Sequence, residues 1–273
     1  MTLPTYDTLI KDGYISFNLK DYSEDLYNNL RAAIPYQTQV DTLNPHLCSF
    51  FLCAHFENLS VSDFFNKFES MMDGEELYLE SNDYLAHKNK AIDKSSVGNA
   101  NYIEMSFLFN NFEILKKVKN TIFSNFDFKQ DQSWFHTSPF RPNEHSPQIY
   151  STIHTILQNV IQFYYPEDIS NYFHKDNYSA TLTAFPNGSL IQPHKDGENS
   201  DRLAVILIYL NDNWKSEYGG QIVLEKDKIV EPEFGNIALL DFTNNNIHHE
   251  VLRVNTEDML RYAIVSFLDI RNY

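Results

Sequence analysis

The sequence predicts a mainly β fold with α: an antiparallel β-sandwich or barrel in the C-terminal half, buttressed by helices from the N-terminal half. Short apolar and β-branched runs follow one another from residue 178 onward. Turn-forming tripeptides separate them. Stripes of apolar residues at helical spacing are confined to the residues before Pro166. The chain of 273 residues is read as one domain, with 1–170 a mainly helical part packing on a core formed by 171–273.

The helices come first in the chain. Ser23–Ile34 reads as a helix with Ser23 as N-cap and Glu24 and Asp25 in the first turn, where carboxylates meet unpaired N–H groups. Ser62–Met72 is a second helix. The longest covers Pro147–Tyr165, in which Ile149, Ile153, Ile156, Leu157, Val160, Ile161 and Tyr164 fall on one face. Ser146 is its N-cap and Pro147 its first residue, and Pro166 stops it. The strands follow: Tyr178–Phe185, Leu203–Leu210, Gln221–Glu225, Asn236–Phe242, Glu250–Val254 and Arg261–Leu268. Pro-Asn-Gly, Gly-Glu-Asn-Ser, Tyr-Gly-Gly and Asn-Asn-Asn punctuate them.

Composition limits the functions open to such a fold. With 21 Lys+Arg against 37 Asp+Glu, the formal charge is −16, and no basic block occurs. Nucleic acid and anionic membrane are therefore excluded as main partners, because phosphate binding is driven by Lys and Arg. The longest apolar run, Leu203–Leu210, is far short of the roughly 20 residues of a membrane span. The opening MTLPTYDTLIKDG lacks the basic start and apolar stretch of a secretory signal, so a cytoplasmic location is expected. Cys48 and Cys53 match no common zinc spacing and read as reduced thiols.

The histidines carry the chemistry. Three pairs have a carboxylate two residues after the imidazole: His55-Phe56-Glu57, His174-Lys175-Asp176 and His194-Lys195-Asp196. In an extended segment such residues share a side and can grip one ion. Two imidazoles and one carboxylate leave three positions of an octahedron open, the arrangement of non-haem iron(II) oxygenases. His55 lies in a stretch read as helical, where that spacing does not share a face, and His174 lies in a linker. His194-x-Asp196 sits between two strands, with the histidine pair His248-His249 further along.

From Tyr178 to Ile270 the chain resembles the iron(II)/2-oxoglutarate dioxygenases, in particular their prolyl-hydroxylase-like branch. The resemblance rests on ATLTAFPNGSLIQPHKDG, LAVILIYLNDNWKSEYGGQIVLE, GNIALLDFTNNNIHHEV and LRYAIVSFLD, in that order. It implies a double-stranded β-helix, or jelly roll, with Fe(II), 2-oxoglutarate and O2 as metal and co-substrates. The implied iron ligands are His194, Asp196 and one of His248 and His249. Adjacent strand residues point to opposite faces, and His249 alone fits the family's His-x-Val pattern, through Val251. Arg261 matches the arginine that pairs with the distal carboxylate of 2-oxoglutarate, with Arg253 its rival, and Tyr209 matches a tyrosine on the same carboxylate. Phe185 stands where such hydroxylases often carry tyrosine, and Ala263 where many carry serine, leaving Thr183 as the replacement hydrogen-bonding group. The long gap from His249 to Arg261 implies an extended hairpin around Asn255–Asp258.

The implied reaction hydroxylates an aliphatic C–H and converts 2-oxoglutarate to succinate and CO2. Asp196 favours hydroxylation over halogenation, since related halogenases lack that carboxylate. The substrate is read as an amino acid or an amino-acid-derived small molecule, with Arg202, Thr183 and Trp214 as candidate contacts. Its alternatives are a peptidyl, prolyl-type substrate and a catalytically silent jelly roll that keeps its metal. A zinc hydrolase is disfavoured because no His-Glu-x-x-His occurs.

Overall fold

From Tyr178 onward the chain passes back and forth between two sheets, with Ile222–Leu224 and Lys228–Val230 the one consecutive pair in the same sheet. The computed structural model describes residues 3–34, 48–55, 61–71, 102–109, 112–126, 133–139, 147–165, 178–196, 202–243 and 247–269. β5 (Tyr178–Phe185), β7 (Arg202–Tyr209), β10 (Asn236–Asp241) and β12 (Arg261–Asp269) lie in the large sheet. β6 (Ile191–His194), β8 (Ile222–Leu224), β9 (Lys228–Val230) and β11 (His249–Val251) form the small sheet. The order β10-β7-β12-β5 faces the order β6-β11-β8-β9, and all the pairings are antiparallel. This is the double-stranded β-helix.

β7, β10 and β12 are buried on both faces. Val205, Leu207, Tyr209, Ala238, Leu240 and Ala263 turn inward and meet Ile222, Leu224 and Val230 of the small sheet. The alternate positions Ile206, Ile208, Ile237, Leu239 and Ile264 turn outward under the helices. That two-sided burial explains the unbroken apolar run at Leu203–Leu210.

The outer layer begins with α1 (Tyr6–Asp12), capped by Thr5 and closed by Gly13 in the left-handed region. α3 (Glu24–Ala33) follows the short α2 (Leu19–Tyr22) and has its expected cap, the Ser23 hydroxyl accepting from Leu26 N–H at 3.3 Å. α4 (Val61–Met71) and α5 (Phe112–Asn125) are further helices of this region. α6 (Pro147–Tyr164) packs on α3, and every residue of its sequence-read stripe is buried. Its expected cap, Ser146, lies outside the described residues.

Segment 1–170, read from the sequence as mainly helical, also contributes strands. β1 (Tyr14–Asn18) extends the large sheet beside β10, and β4 (Ser133–Pro139), β2 (Cys48–His55) and β3 (Tyr102–Phe109) extend it beyond β5. The large sheet therefore has eight strands, four of them from the N-terminal part. β1 is five residues long and pairs with residues more than two hundred positions away, so its backbone partners decide its structure more than local propensity does. The stretch holding His55, read as helical, is strand β2, which also carries Cys48 and Cys53. The expected hairpin around Asn255–Asp258 is also corrected. β11 and β12 lie in different sheets, so the segment crosses between them, with Val254 N–H donating to Ser189 O and Asn255 N–H to Tyr218 O.

Candidate metal and co-substrate site

Register brings the two histidines together. β11 and β6 run antiparallel with His249 opposite His194, and their ring centroids lie 4.2 Å apart. Asp196 follows the end of β6, with its Oδ1 3.7 Å from His194 Nε2 and its Oδ2 3.4 Å from His249 Nε2. The ligand atoms of the three residues all fall within 4.8 Å of one another, and they are the only such group among the described residues. His249 is buried and its neighbour His248 exposed, as strand alternation requires. His174 and Asp176 lie outside the described residues, as does Glu57.

The backbone prepares the imidazoles for a metal. His194 Nδ1 lies 2.8 Å from Gln192 O, and His249 Nδ1 lies 3.5 Å from Ile247 O. With Nδ1 turned toward a carbonyl, each ring leaves Nε2 on the side of Asp196 as the nitrogen that would meet a cation. Burial and the neighbouring His249 lower the pKa of His194, which keeps the ring neutral. Burial alone would raise the Asp196 pKa. Its hydrogen bond to His249 and the charges of His249, His194 and Arg202 outweigh that and hold the carboxyl below its usual range. Two imidazoles and one carboxylate at this spacing fit an iron(II) ion with open positions.

By strand alternation Arg261 shares the inward face of the last strand with Ala263. It opens β12 and is 1% exposed, whereas Arg253 is exposed and donates through Nη1 to Gly188 O at 3.0 Å. Arg261 Nε donates to Gly220 O at 2.9 Å. Its Cζ lies 4.6 Å from the Phe185 ring centroid and 5.0 Å from that of Tyr209, so rings from both neighbouring strands flank it. Burial lowers its pKa and the nearby Tyr209 partly restores it. No carboxylate of the described residues pairs with it, and its Nη2 and the Tyr209 hydroxyl are buried near each other without a hydrogen bond of good geometry. A buried cation with orphaned donors beside it is what a carboxylate ligand would complete.

The remaining expectations divide. Thr183 sits in register with Ala263 and Tyr209, but its hydroxyl donates to Ala263 O at 2.9 Å. With that proton committed, it does not supply the donor expected in place of the missing tyrosine or serine. Trp214 is not in the mouth of the site. It is buried with Phe185, Val251 and Val254, and its Nε1–H donates to Gly219 O at 2.9 Å. Its role is to latch the Gly219-Gly220 turn behind Arg261. A side chain at Gly219 would place Cβ 1.9 Å from Arg253 O, and both glycines have positive φ. Arg202 lies with Cζ 3.9 Å from the Phe267 ring centroid and is close enough to Asp196 to lower its pKa. Sequence reasoning missed Phe135 and Phe51, which stack behind Phe185. The apolar run at Phe50–Leu52 was the available signal, but without β4 its partner could not be named.

Residues 178–269 match the family model of the 2OG-Fe(II) oxygenase superfamily. A search of curated proteins returned no match. Among solved structures, similarity is found to a prolyl-4-hydroxylase of Pseudomonas putida, at 17% identity over 50% of this chain and 73% of that one, with TM-score 0.41. A prolyl hydroxylase of Trichoplax adhaerens, in complex with a peptide fragment of the hypoxia inducible factor oxygen degradation domain, is 24% identical over 50% of this chain and 63% of that one, with TM-score 0.42. The viral collagen prolyl hydroxylase of Paramecium Bursaria Chlorella virus-1 is 15% identical over 50% and 79%, with TM-score 0.40. The match over 178–269 takes in both histidines, Asp196 and Arg261, and makes this segment similar to the 2OG-Fe(II) oxygenase superfamily, dioxygenases that use Fe(II), 2-oxoglutarate and O2.

Proposed function

We propose that this protein hydroxylates an aliphatic C–H with Fe(II), O2 and 2-oxoglutarate, releasing succinate and CO2. The observation that carries the reading is Arg261: a buried guanidinium with no carboxylate partner among the described residues, in the same double-stranded β-helix as a His-Asp-His group. His194, Asp196 and His249 would hold the iron, which when bound supplies the oxygen chemistry. Arg261 and Tyr209 would anchor the distal carboxylate of 2-oxoglutarate, the guanidinium through its Nη2 and the phenol through its hydroxyl. Val205, Leu207, Leu240 and Ala263 belong to the same buried apolar cluster as Tyr209.

For the substrate, a residue within a peptide is favoured over a free amino acid, because the order of motifs resembles the prolyl-hydroxylase-like branch. The small-molecule reading keeps one feature in its support. Arg202, laid over Phe267 and near Asp196, offers a cation to the carboxylate of a free amino acid. Anaerobic titration with Fe(II) and 2-oxoglutarate tests the co-substrate assignment through the visible charge-transfer band of the chelate. The band is expected in the wild type and absent from Asp196→Ala and Arg261→Leu. A wild type that binds metal yet gives no band would overturn the reading in favour of a silent jelly roll. Succinate release against free amino acids and against proline-containing peptides then separates the two substrate classes.

A further inference from the structure

Four side chains line up across four neighbouring strands of the large sheet. Arg261 on β12 pairs with Phe185 on β5, the β4–β5 register brings Phe135 beside Phe185, and Phe51 on β2 pairs with Phe135. The guanidinium Cζ lies 4.6 Å from the Phe185 centroid. The Phe185 and Phe135 rings are stacked at 5.0 Å with 7° between their planes, and Phe135 and Phe51 at 4.8 Å with 26°. The row is one continuous stack ending on a buried cation.

We propose that Phe135 and Phe51 are positioning residues for Arg261, acting through Phe185, so that β2 and β4 belong functionally to the co-substrate site although they lie outside residues 178–269. The inference rests on the reading that Arg261 receives a carboxylate of 2-oxoglutarate. A phenyl ring at 185 offers that anion no hydrogen bond, so what it contributes is a face against the guanidinium. Arg261 Nε donates to Gly220 O and its Cζ lies 5.0 Å from the Tyr209 ring centroid, and the Phe185 face adds a further constraint on the angle of its plane. The angle of that plane sets where Nη2 points. Phe185 can fix it only if its own ring is fixed, and the stacked rings of Phe135 and Phe51 brace it on the side away from Arg261. The device stands in for the tyrosine that similar hydroxylases often carry where Phe185 stands.

The test uses the full chain loaded with Mn(II) as a redox-silent metal, with 2-oxoglutarate titrated by calorimetry, and steady-state kinetics on the Fe(II) form. Phe135→Leu is expected to weaken 2-oxoglutarate binding by about three- to tenfold. KM for 2-oxoglutarate should rise with it, while kcat and metal affinity stay as in the wild type. Phe135→Tyr keeps the ring and should restore binding. If Phe135→Leu fails to fold, Phe51→Leu carries the test one rung further out, with an expected loss of about twofold. Wild-type affinity in both leucine variants would overturn the proposal, as would a parallel loss of metal binding or failure of the tyrosine to rescue. A wild type that takes up Mn(II) but no 2-oxoglutarate would instead overturn the reading of Arg261 itself, and this inference with it.

Discussion

Replacing Arg261 by methionine separates a residue kept for a ligand from one kept for the fold. Holding an uncompensated guanidinium at 1% exposure costs several kcal/mol of desolvation. Two features offset that cost in the protein: the bond from Nε to Gly220 O, worth about 1.5–3 kcal/mol, and the flanking rings of Phe185 and Tyr209, worth about 1–2 kcal/mol together. The sum leaves the arginine neutral to mildly destabilising without ligand. Arg261→Met is therefore expected to unfold in urea with a free energy equal to the wild type's or up to about 2 kcal/mol above it, although burying a large residue usually makes its substitution costly. The ligand reverses the order. At one hundred times its Kd, 2-oxoglutarate should stabilise the metal-loaded wild type by about 2.7 kcal/mol, or about 5–10 °C in melting temperature, and should leave the variant unmoved. A ligand-free variant more than about 2 kcal/mol below the wild type would refute the argument by making the guanidinium a structural element. So would a variant that kept the 2-oxoglutarate shift.

Three further outcomes follow from the geometry. His249→Ala should lose metal binding, measured by Mn(II) titration, whereas His248→Ala should bind as the wild type, because His248 is exposed on the opposite side of the strand. Trp214→Phe removes the donor to Gly219 O and should cost about 1–3 kcal/mol in urea unfolding while raising KM for 2-oxoglutarate, since the turn it latches supplies the carbonyl for Arg261. Tyr165 donates to Asp241 Oδ2 at 2.9 Å, and burial, with the Asp241 charge, raises its pKa far above 10.0. The unfolded chain gives up that proton first, so folding stability should fall as pH rises past 10.0, and Tyr165→Phe should flatten this alkaline limb when unfolding is followed against pH.

The C-terminal core was legible because its strands alternate between sheets while each keeps an apolar face. Runs such as Leu203–Leu210 and Arg261–Leu268, bounded by glycine and asparagine turns, report that burial directly. Strand alternation puts His248 and His249 on opposite faces, but the choice of His249 rested on the resemblance, through Val251. The N-terminal strands left no comparable signal. Ser133–Pro139 holds a histidine, a threonine, two serines and a proline, and becomes a strand because β2 and β5 lie on either side of it. The roles of Trp214 and Thr183 were misread because both depend on which backbone carbonyl lies within reach, a fact of tertiary geometry.

The position of β12 has a consequence for how the molecule comes into being. It is the last described strand to be synthesised, yet it lies in the interior of the large sheet, flanked by β5 and β7. Until it has left the ribosome, β5 and β7 each show an open, strongly apolar edge, and the sheet stays split into two unconnected parts. The final strand works as a keystone: a nascent chain cannot settle its fold in stages, and the arginine that β12 carries arrives in the same step that joins the halves. Ribosome-bound chains stopped before Arg261 should therefore be open to proteolysis throughout the β5 and β7 region, and resistance should come in one step once residues through Asp269 are free.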